Sequence, residues 1–276
     1  MQIKLAKSLG FCFGVKRAIG IAQKNRGSVT IGPLIHNKAE INRLKRDYAV
    51  EVVDDLSLIQ EGQDVVIRTH GIERDKKKYL ENRNINLIDA TCPFVTKPQN
   101  IVKDMSKEGY NIVIFGDSKH PEIKGVLSYG NERTFVVNTL EELQQLKLSQ
   151  KIAIVSQTTR KPEDFAKLVE FLVINYKEVR VFNTICNATF ENQDAARDLA
   201  KEVDIMIVIG GKHSSNTKQL LHICLQECQD SYLVESVEDL DKKWFNGKKV
   251  CGISAGASTP DWIIEDIVKK IQLIKN

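Results

Sequence analysis

Three cysteines recur in the same local setting. Leu9-Gly10-Phe11-Cys12, Ala90-Thr91-Cys92 and Thr184-Ile185-Cys186 each end a short extended segment or turn and lead into an amphipathic run. They stand roughly 80 and 94 residues apart, with about 90 residues beyond the last, a spacing that points to an internal repeat. Thiolates are soft ligands and favour zinc or iron–sulfur clusters. A closed electron-transfer cluster usually takes four cysteines, whereas three leave one iron free to bind water or a substrate hydroxyl as a Lewis acid. Any one of these residues alone could be an inert core thiol, and the shared phase is what favours ligands. Cys224, Cys228 and Cys251 lack that phase. The first two stand four apart beside Leu220, Leu221 and Ile223, a helical spacing that could hold a metal but is more simply packing; Cys251 lies inside an apolar strand.

Two sets of polar loops accompany the cysteines. Gly32-Pro33-Leu34-Ile35-His36-Asn37, Gly116-Asp117-Ser118-Lys119-His120-Pro121-Glu122 and Gly210-Gly211-Lys212-His213-Ser214-Ser215-Asn216 keep one register: His36, His120 and Ser214 each fall four residues after the glycine. The second set is Arg68-Thr69-His70-Gly71, Ser156-Gln157-Thr158-Thr159 and Ser254-Ala255-Gly256-Ala257-Ser258. His36, His70, His120, His213, Thr158, Ser214, Ser215, Asn216 and Ser258 make a neutral, donor-rich set. With backbone N–H groups at helix starts, such a set suits an anion with several oxygens, such as a diphosphate. Ser214-Ser215-Asn216 also reads as a helix N-cap. Glu122 is a candidate proton donor if its loop faces the cavity. Lys16, Arg17, Lys76, Lys77 and Lys78 are read as solvated helix faces. No Walker A sequence is present, which argues against a P-loop nucleotide site.

The elements that must carry these loops follow from periodicity. Val15, Ala18, Ile19, Ala22; Pro98, Ile101, Val102, Met105; and Ala196, Leu199, Ala200, Val203 fall at helical spacing after each cysteine. Pro98 is tolerable only in a first helical turn. Apolar strands precede every polar loop, and strands alternating with helices imply parallel sheets. The third repeat lacks a last strand, and Gln2–Ala6, with Ile3 and Leu5 alternating, supplies it. The expected organisation is three pseudo-threefold-related α/β units, 1–90, 91–184 and 185–276, with residues 1–8 completing the third unit's sheet and all the loops meeting in one central cavity.

Composition fits a globular protein: 42% hydrophobic and 28% charged residues in 276, with a net charge of +4 too mild to argue for nucleic acid. The apolar run Ile205–Ile209 is far short of the ~20 residues of a membrane span. Met1–Lys7 has no apolar signal region, so a cytoplasmic, reducing compartment is expected and the cysteines are not a disulfide framework.

Phe11-Cys12-Phe13-Gly14-Val15, Gly32-Pro33-Leu34-Ile35-His36-Asn37, Arg68-Thr69-His70-Gly71, Asp89-Ala90-Thr91-Cys92-Pro93, His120-Pro121-Glu122, Ser156-Gln157-Thr158-Thr159, Ile185-Cys186-Asn187-Ala188-Thr189, Ser214-Ser215-Asn216 and Ala255-Gly256-Ala257-Ser258-Thr259-Pro260-Asp261 together resemble the 4-hydroxy-3-methylbut-2-enyl diphosphate reductase (IspH/LytB) family. The resemblance implies a trefoil of three α/β units around a [4Fe–4S] cluster with three cysteine ligands, Cys12, Cys92 and Cys186, and one open iron. It implies substrate binding by His36, His70, His120, Ser214, Ser215, Asn216 and Ser258, mostly around the diphosphate. Thr158 and Glu122 fall near the allylic hydroxyl, with Glu122 as proton donor. The implied reaction is reductive dehydroxylation to isopentenyl or dimethylallyl diphosphate, the last step of the non-mevalonate pathway. The substrate is a small molecule, the electrons come from an external one-electron donor such as ferredoxin or flavodoxin, and neither nucleic acid nor membrane is a partner. Asn192 stands where the family often has arginine. Two other readings are another three-cysteine enzyme of similar layout, such as quinolinate synthase or the diphthamide radical enzyme, and a non-catalytic zinc or electron-carrier protein.

Overall fold

Short apolar runs punctuated by glycine alternate with amphipathic runs, and the structure, a computed structural model, turns them into strands and helices in turn. It describes residues 1–212 and 214–274, with the backbone alone at Ser215. The candidate donors His213 and the Ser215 side chain lie outside the described residues.

In chain order the elements are β1 (Gln2–Leu5), α1 (Phe13–Lys24), β2 (Val29–Ile31), α2 (Lys38–Tyr48), β3 (Glu51–Val53), β4 (Asp64–Ile67), α3 (Arg74–Glu81) and β5 (Asn86–Asp89). Then come α4 (Pro93–Lys107), β6 (Asn111–Phe115), α5 (Pro121–Leu127), β7 (Thr134–Val137), α6 (Leu140–Gln144), β8 (Lys151–Ser156), α7 (Pro162–Asn175) and β9 (Glu178–Val181). The last stretch holds α8 (Ala188–Ala200), β10 (Ile205–Ile209), α9 (Ser215–Glu227), β11 (Ser231–Val234), β12 (Val250–Ala255) and α10 (Asp261–Gln272).

The strands form three four-stranded parallel sheets, β3-β2-β4-β5, β7-β6-β8-β9 and β11-β10-β12-β1. Written this way the three orders are one permutation. β1 pairs with β12 from Gln2↔Val250 to Leu5↔Ile253 and occupies the outer position that β5 and β9 hold in the other sheets. By contact density the chain divides into two compact units. Residues 1–16, 35–41 and 187–276 hold the sheet containing β1; residues 17–34 and 42–186 hold the other two.

Inner strands read as continuous apolar runs because a parallel sheet is covered on both faces. β10 shows this residue by residue. Ile205, Ile207 and Ile209 pack with Ile263, Ile264, Ile267 and Ile271 of α10, while Met206 and Val208 pack with α8 and α9 through Ala196, Leu199, Leu220 and Cys224. Successive side chains point to opposite faces, so five consecutive apolar residues are needed to fill both cores.

Pro98 departs from expectation. The helix begins at Pro93, whose fixed φ suits a first position, so Pro98 lies inside α4 and is buried. It cannot donate to the Phe94 carbonyl, so α4 continues through Pro98 with that one backbone bond missing. Among the described residues no helix is long and apolar enough to cross a membrane.

Candidate active site

Each of the three repeat-phased cysteines follows the outermost strand of its sheet and opens a helix. Cys12 precedes α1 and accepts the Lys16 N–H, Cys92 is the N-cap of α4, and Cys186 stands two residues before α8. Their own N–H groups end in equivalent places. Cys12 donates to Ala257 O (3.2 Å), Cys92 to Thr69 O (3.0 Å) and Cys186 to Thr158 O (2.7 Å), and each acceptor lies just past the end of the neighbouring inner strand, β12, β4 or β8. All three cysteines are half-buried, whereas Cys224, Cys228 and Cys251 are buried. Burial pushes the Cys224 and Cys251 thiols up to about 12, and the Cys228 thiol up as well, so these three are protonated packing groups. Cys228 is not on the helix with Cys224: α9 stops at Glu227, and Cys228 is extended. Partly accessible sulfurs, soft donors set at helix starts, are a donor set that fits an iron–sulfur cluster. Arg17, expected as a solvated charge, instead donates to the carbonyls of Thr91 (3.1 Å) and Asp89 (3.3 Å) and braces the turn before Cys92.

Glu122 sits in the first turn of α5 and is only 2% exposed. Its Oε1 accepts the Thr158 N–H (2.8 Å), and its Oε2 lies 2.7 Å from the Thr158 hydroxyl. Thr158 thus holds both the Cys186 turn, through its carbonyl, and the carboxyl group. Burial pushes the Glu122 carboxyl above the usual glutamate range, against the two bonds from Thr158, which favour the ionised form. His120 caps α5: its Nδ1 accepts the Glu122 N–H at 3.2 Å, which assigns the ring proton to Nε2. The His70 ring meets it edge-on, centroids 5.5 Å apart. Gly71, next to His70, has φ +72°, a left-handed backbone in which any side chain is strained, and this favours glycine at the turn.

The raised pKa of Glu122 has a consequence for stability. The folded chain binds this proton more tightly than the unfolded chain does. Its contribution is complete below the ordinary value of 4.5 and is lost as pH rises through the folded value, at about 1.4 kcal/mol per unit of displacement. Glu122→Gln in the cluster-free chain is therefore expected to gain stability relative to the parent between about pH 5 and pH 8, as read by urea unfolding. Equal differences at both pH values would refute this.

The other candidates gather around β10 and β12. Ser214 caps α9, its hydroxyl accepting the Thr217 N–H (3.3 Å). The Asn216 side-chain Oδ1 is buried without a hydrogen-bond partner among the described residues. An orphaned buried polar atom of this kind fits a site completed by a polyanionic ligand once the amide is turned to donate. Gly210, at φ +152°, leaves room for the Thr217 hydroxyl, which a Cβ would meet at 2.8 Å. His36 precedes α2 and is exposed. Its neighbour Asn37 caps α2 through Glu40 N (3.0 Å) and donates from Nδ2 to Ser258 O (2.9 Å), tying the His36 and Ser258 loops together. Asn37 was missed as a functional residue although Asn37-Lys38-Ala39-Glu40 is a recognisable capping pattern. Asn192 is buried, receives the Ser8 hydroxyl and donates to Gly10 O and Ala255 O (3.4 Å each), joining the segment before Cys12 to the end of β12.

Within one unit the structure therefore assembles Glu122, Thr158, His120 and His70, and within the other it joins His36 to Ser258 through Asn37. Comparisons with known proteins agree along the whole chain. A Nitratiruptor protein named 4-hydroxy-3-methylbut-2-enyl diphosphate reductase is 63% identical over 275 residues, covering all of both chains. The Helicobacter pylori (strain Shi470) protein of the same name is 58% identical over 274 residues, 99% of this chain and all of the relative. A solved structure of (E)-4-hydroxy-3-methyl-but-2-enyl diphosphate reductase, described as the terminal enzyme of the non-mevalonate pathway, matches with a TM-score of 0.86 at 42% identity, covering 98% of this chain and 99% of its own. The sequence profile described as LytB protein matches residues 3–272, and by that match and these full-length relatives the chain belongs to the LytB protein family.

Proposed function

We propose that this protein reduces 4-hydroxy-3-methylbut-2-enyl diphosphate to isopentenyl and dimethylallyl diphosphate. The observation that carries the reading is the equivalent setting of Cys12, Cys92 and Cys186, each bonded to the loop beyond the neighbouring strand of its own sheet. In this reading the chain is three repeats, 1–90, 91–184 and 185–276, and each contributes one thiolate to a [4Fe–4S] cluster with one open iron. When bound, the cluster supplies two electrons singly, from an external donor such as ferredoxin or flavodoxin, and Lewis acidity toward the substrate hydroxyl. Everything else falls to the protein. His36, His70, His120, Ser214, Ser215, Asn216 and Ser258 hold the diphosphate by N–H and O–H donors. In the resting structure the Thr158 N–H donates to Glu122 Oε1 and the Thr158 hydroxyl to Oε2; when Glu122 takes up a proton on Oε2 it replaces the one that the Thr158 hydroxyl gives to the departing oxygen. The balance is one alcohol, two electrons and two protons in, one water and one C–H bond out. The first proton leaves with the hydroxyl, and the second adds at either end of the allyl unit. The reaction needs neither membrane nor nucleic acid, and we assign it to the cytoplasm.

Anaerobic assay of the iron-loaded protein with the allylic diphosphate alcohol and a chemical one-electron reductant tests the reading. Both five-carbon diphosphates are expected as products. A chain carrying about four iron and four sulfide that leaves the alcohol untouched, or one that takes up stoichiometric zinc in place of iron, counts against it.

A further inference from the structure

Glu40 is a fully buried carboxylate with no part in the chemistry above. It lies in the first turn of α2, three residues after Asn37, and its Oε2 accepts the indole N–H of Trp262 at 2.8 Å. Trp262 is in the first turn of α10, the helix that the Ser258 loop enters. The indole is 37% exposed, so burial alone does not set its position, and its N–H is a donor with no other role.

The Ser258 loop is already fixed to its own sheet: Gly256 N and the Thr259 hydroxyl both donate to Ile209 O (2.9 and 3.1 Å). The segment leading into α2, which carries His36, is joined to that loop by the bond from Asn37 Nδ2 to Ser258 O. One hydrogen bond leaves rotation about itself. A second bond, from Trp262 to Glu40, removes that rotation and fixes both distance and angle between the two loops. We propose that Glu40 and Trp262 form a clasp which, with Asn37, sets the separation of His36 from Ser258 and thereby the affinity for diphosphate. Both are positioning residues, and the inference rests on the reading of His36 and Ser258 as diphosphate-binding groups.

The test is calorimetric titration of the iron-loaded protein with inorganic diphosphate, beside steady-state kinetics. Trp262→Phe keeps the ring and deletes the donor; Glu40→Leu deletes the acceptor; Glu40→Gln keeps an oxygen that can accept. Trp262→Phe and Glu40→Leu are each expected to weaken binding about tenfold, with Glu40→Gln within about threefold of the parent. The double variant Glu40→Leu/Trp262→Phe should be no weaker than Glu40→Leu alone, because Glu40→Leu already removes the bond that Trp262→Phe deletes. In turnover KM should rise about tenfold while kcat falls less than about threefold. Parental binding by Trp262→Phe overturns the clasp, as do losses that multiply in the double variant; Trp262→Phe decides the matter even if Glu40→Leu fails to fold. A parent chain that binds no diphosphate brings down the functional reading itself, and that is seen before any substitution is made.

Discussion

A Cys92→Ser chain is expected to emerge from anaerobic reconstitution with most of its iron and sulfide gone and with turnover at background. Cys12→Ser and Cys186→Ser should behave alike, because the three residues hold interchangeable positions at the ends of outer strands, with N–H groups anchored to equivalent carbonyls. Serine is isosteric but its hydroxyl is a hard, protonated donor at neutral pH, so it does not replace a thiolate on iron. Groups that merely orient metal ligands cost about 10–100-fold on removal, so loss of a ligand should exceed about 100-fold in both cluster content and rate. Cys224→Ser is the control. Its sulfur is buried and protonated, and the variant should keep about four iron per chain. Iron lost from Cys224→Ser but retained by Cys12→Ser would reverse the assignment.

The second large effect is at Glu122. Glutamine fits the same cavity and can still accept the Thr158 N–H through its amide oxygen, so fold, cluster and substrate affinity should survive. What disappears is the carboxyl oxygen that can take up a proton and hand it on to the Thr158 hydroxyl. General acid catalysis contributes about 10²–10⁴-fold, and kcat should fall by that factor with KM within a few-fold. Isothermal titration with substrate separates the two quantities, and a variant with parental kcat would exclude Glu122 as the required donor.

The repeat was legible because each copy announces itself by local chemistry: a glycine after an apolar strand, a polar residue four positions on, a cysteine at a helix start. Those signals act over a few residues, which is the range a sequence displays openly. The pairing of β1 with β12 was legible for a different reason, a missing strand in the third copy and a spare one before Cys12. What stayed hidden depends on neighbours distant in the chain. Asn37–Ser258 and Glu40–Trp262 join residues 221 and 222 apart, and nothing in either segment names its partner. The burial of Glu122 is likewise a tertiary property; its loop carries Asp117 and Lys119 and reads as exposed. Arg17 looks like any charge on a helix until Thr91 is set beside it. Pro98 failed as a boundary marker because Pro93, the stronger helix starter, comes first.

The outer position filled by Gln2–Leu5 shapes how the molecule is made. Two of the sheets close from contiguous chain, so each can form as it leaves the ribosome. The remaining one cannot. Residues near position 2 must wait for residues near position 250, a delay on the order of 12–50 s at elongation rates of about 5–20 residues per second. Through that interval Cys251 and the apolar core beneath it have yet to be synthesised, and the early strand has no edge to join. The helix start bearing Cys12, whose N–H is held by Ala257 O, is therefore fastened only once that late strand is in place.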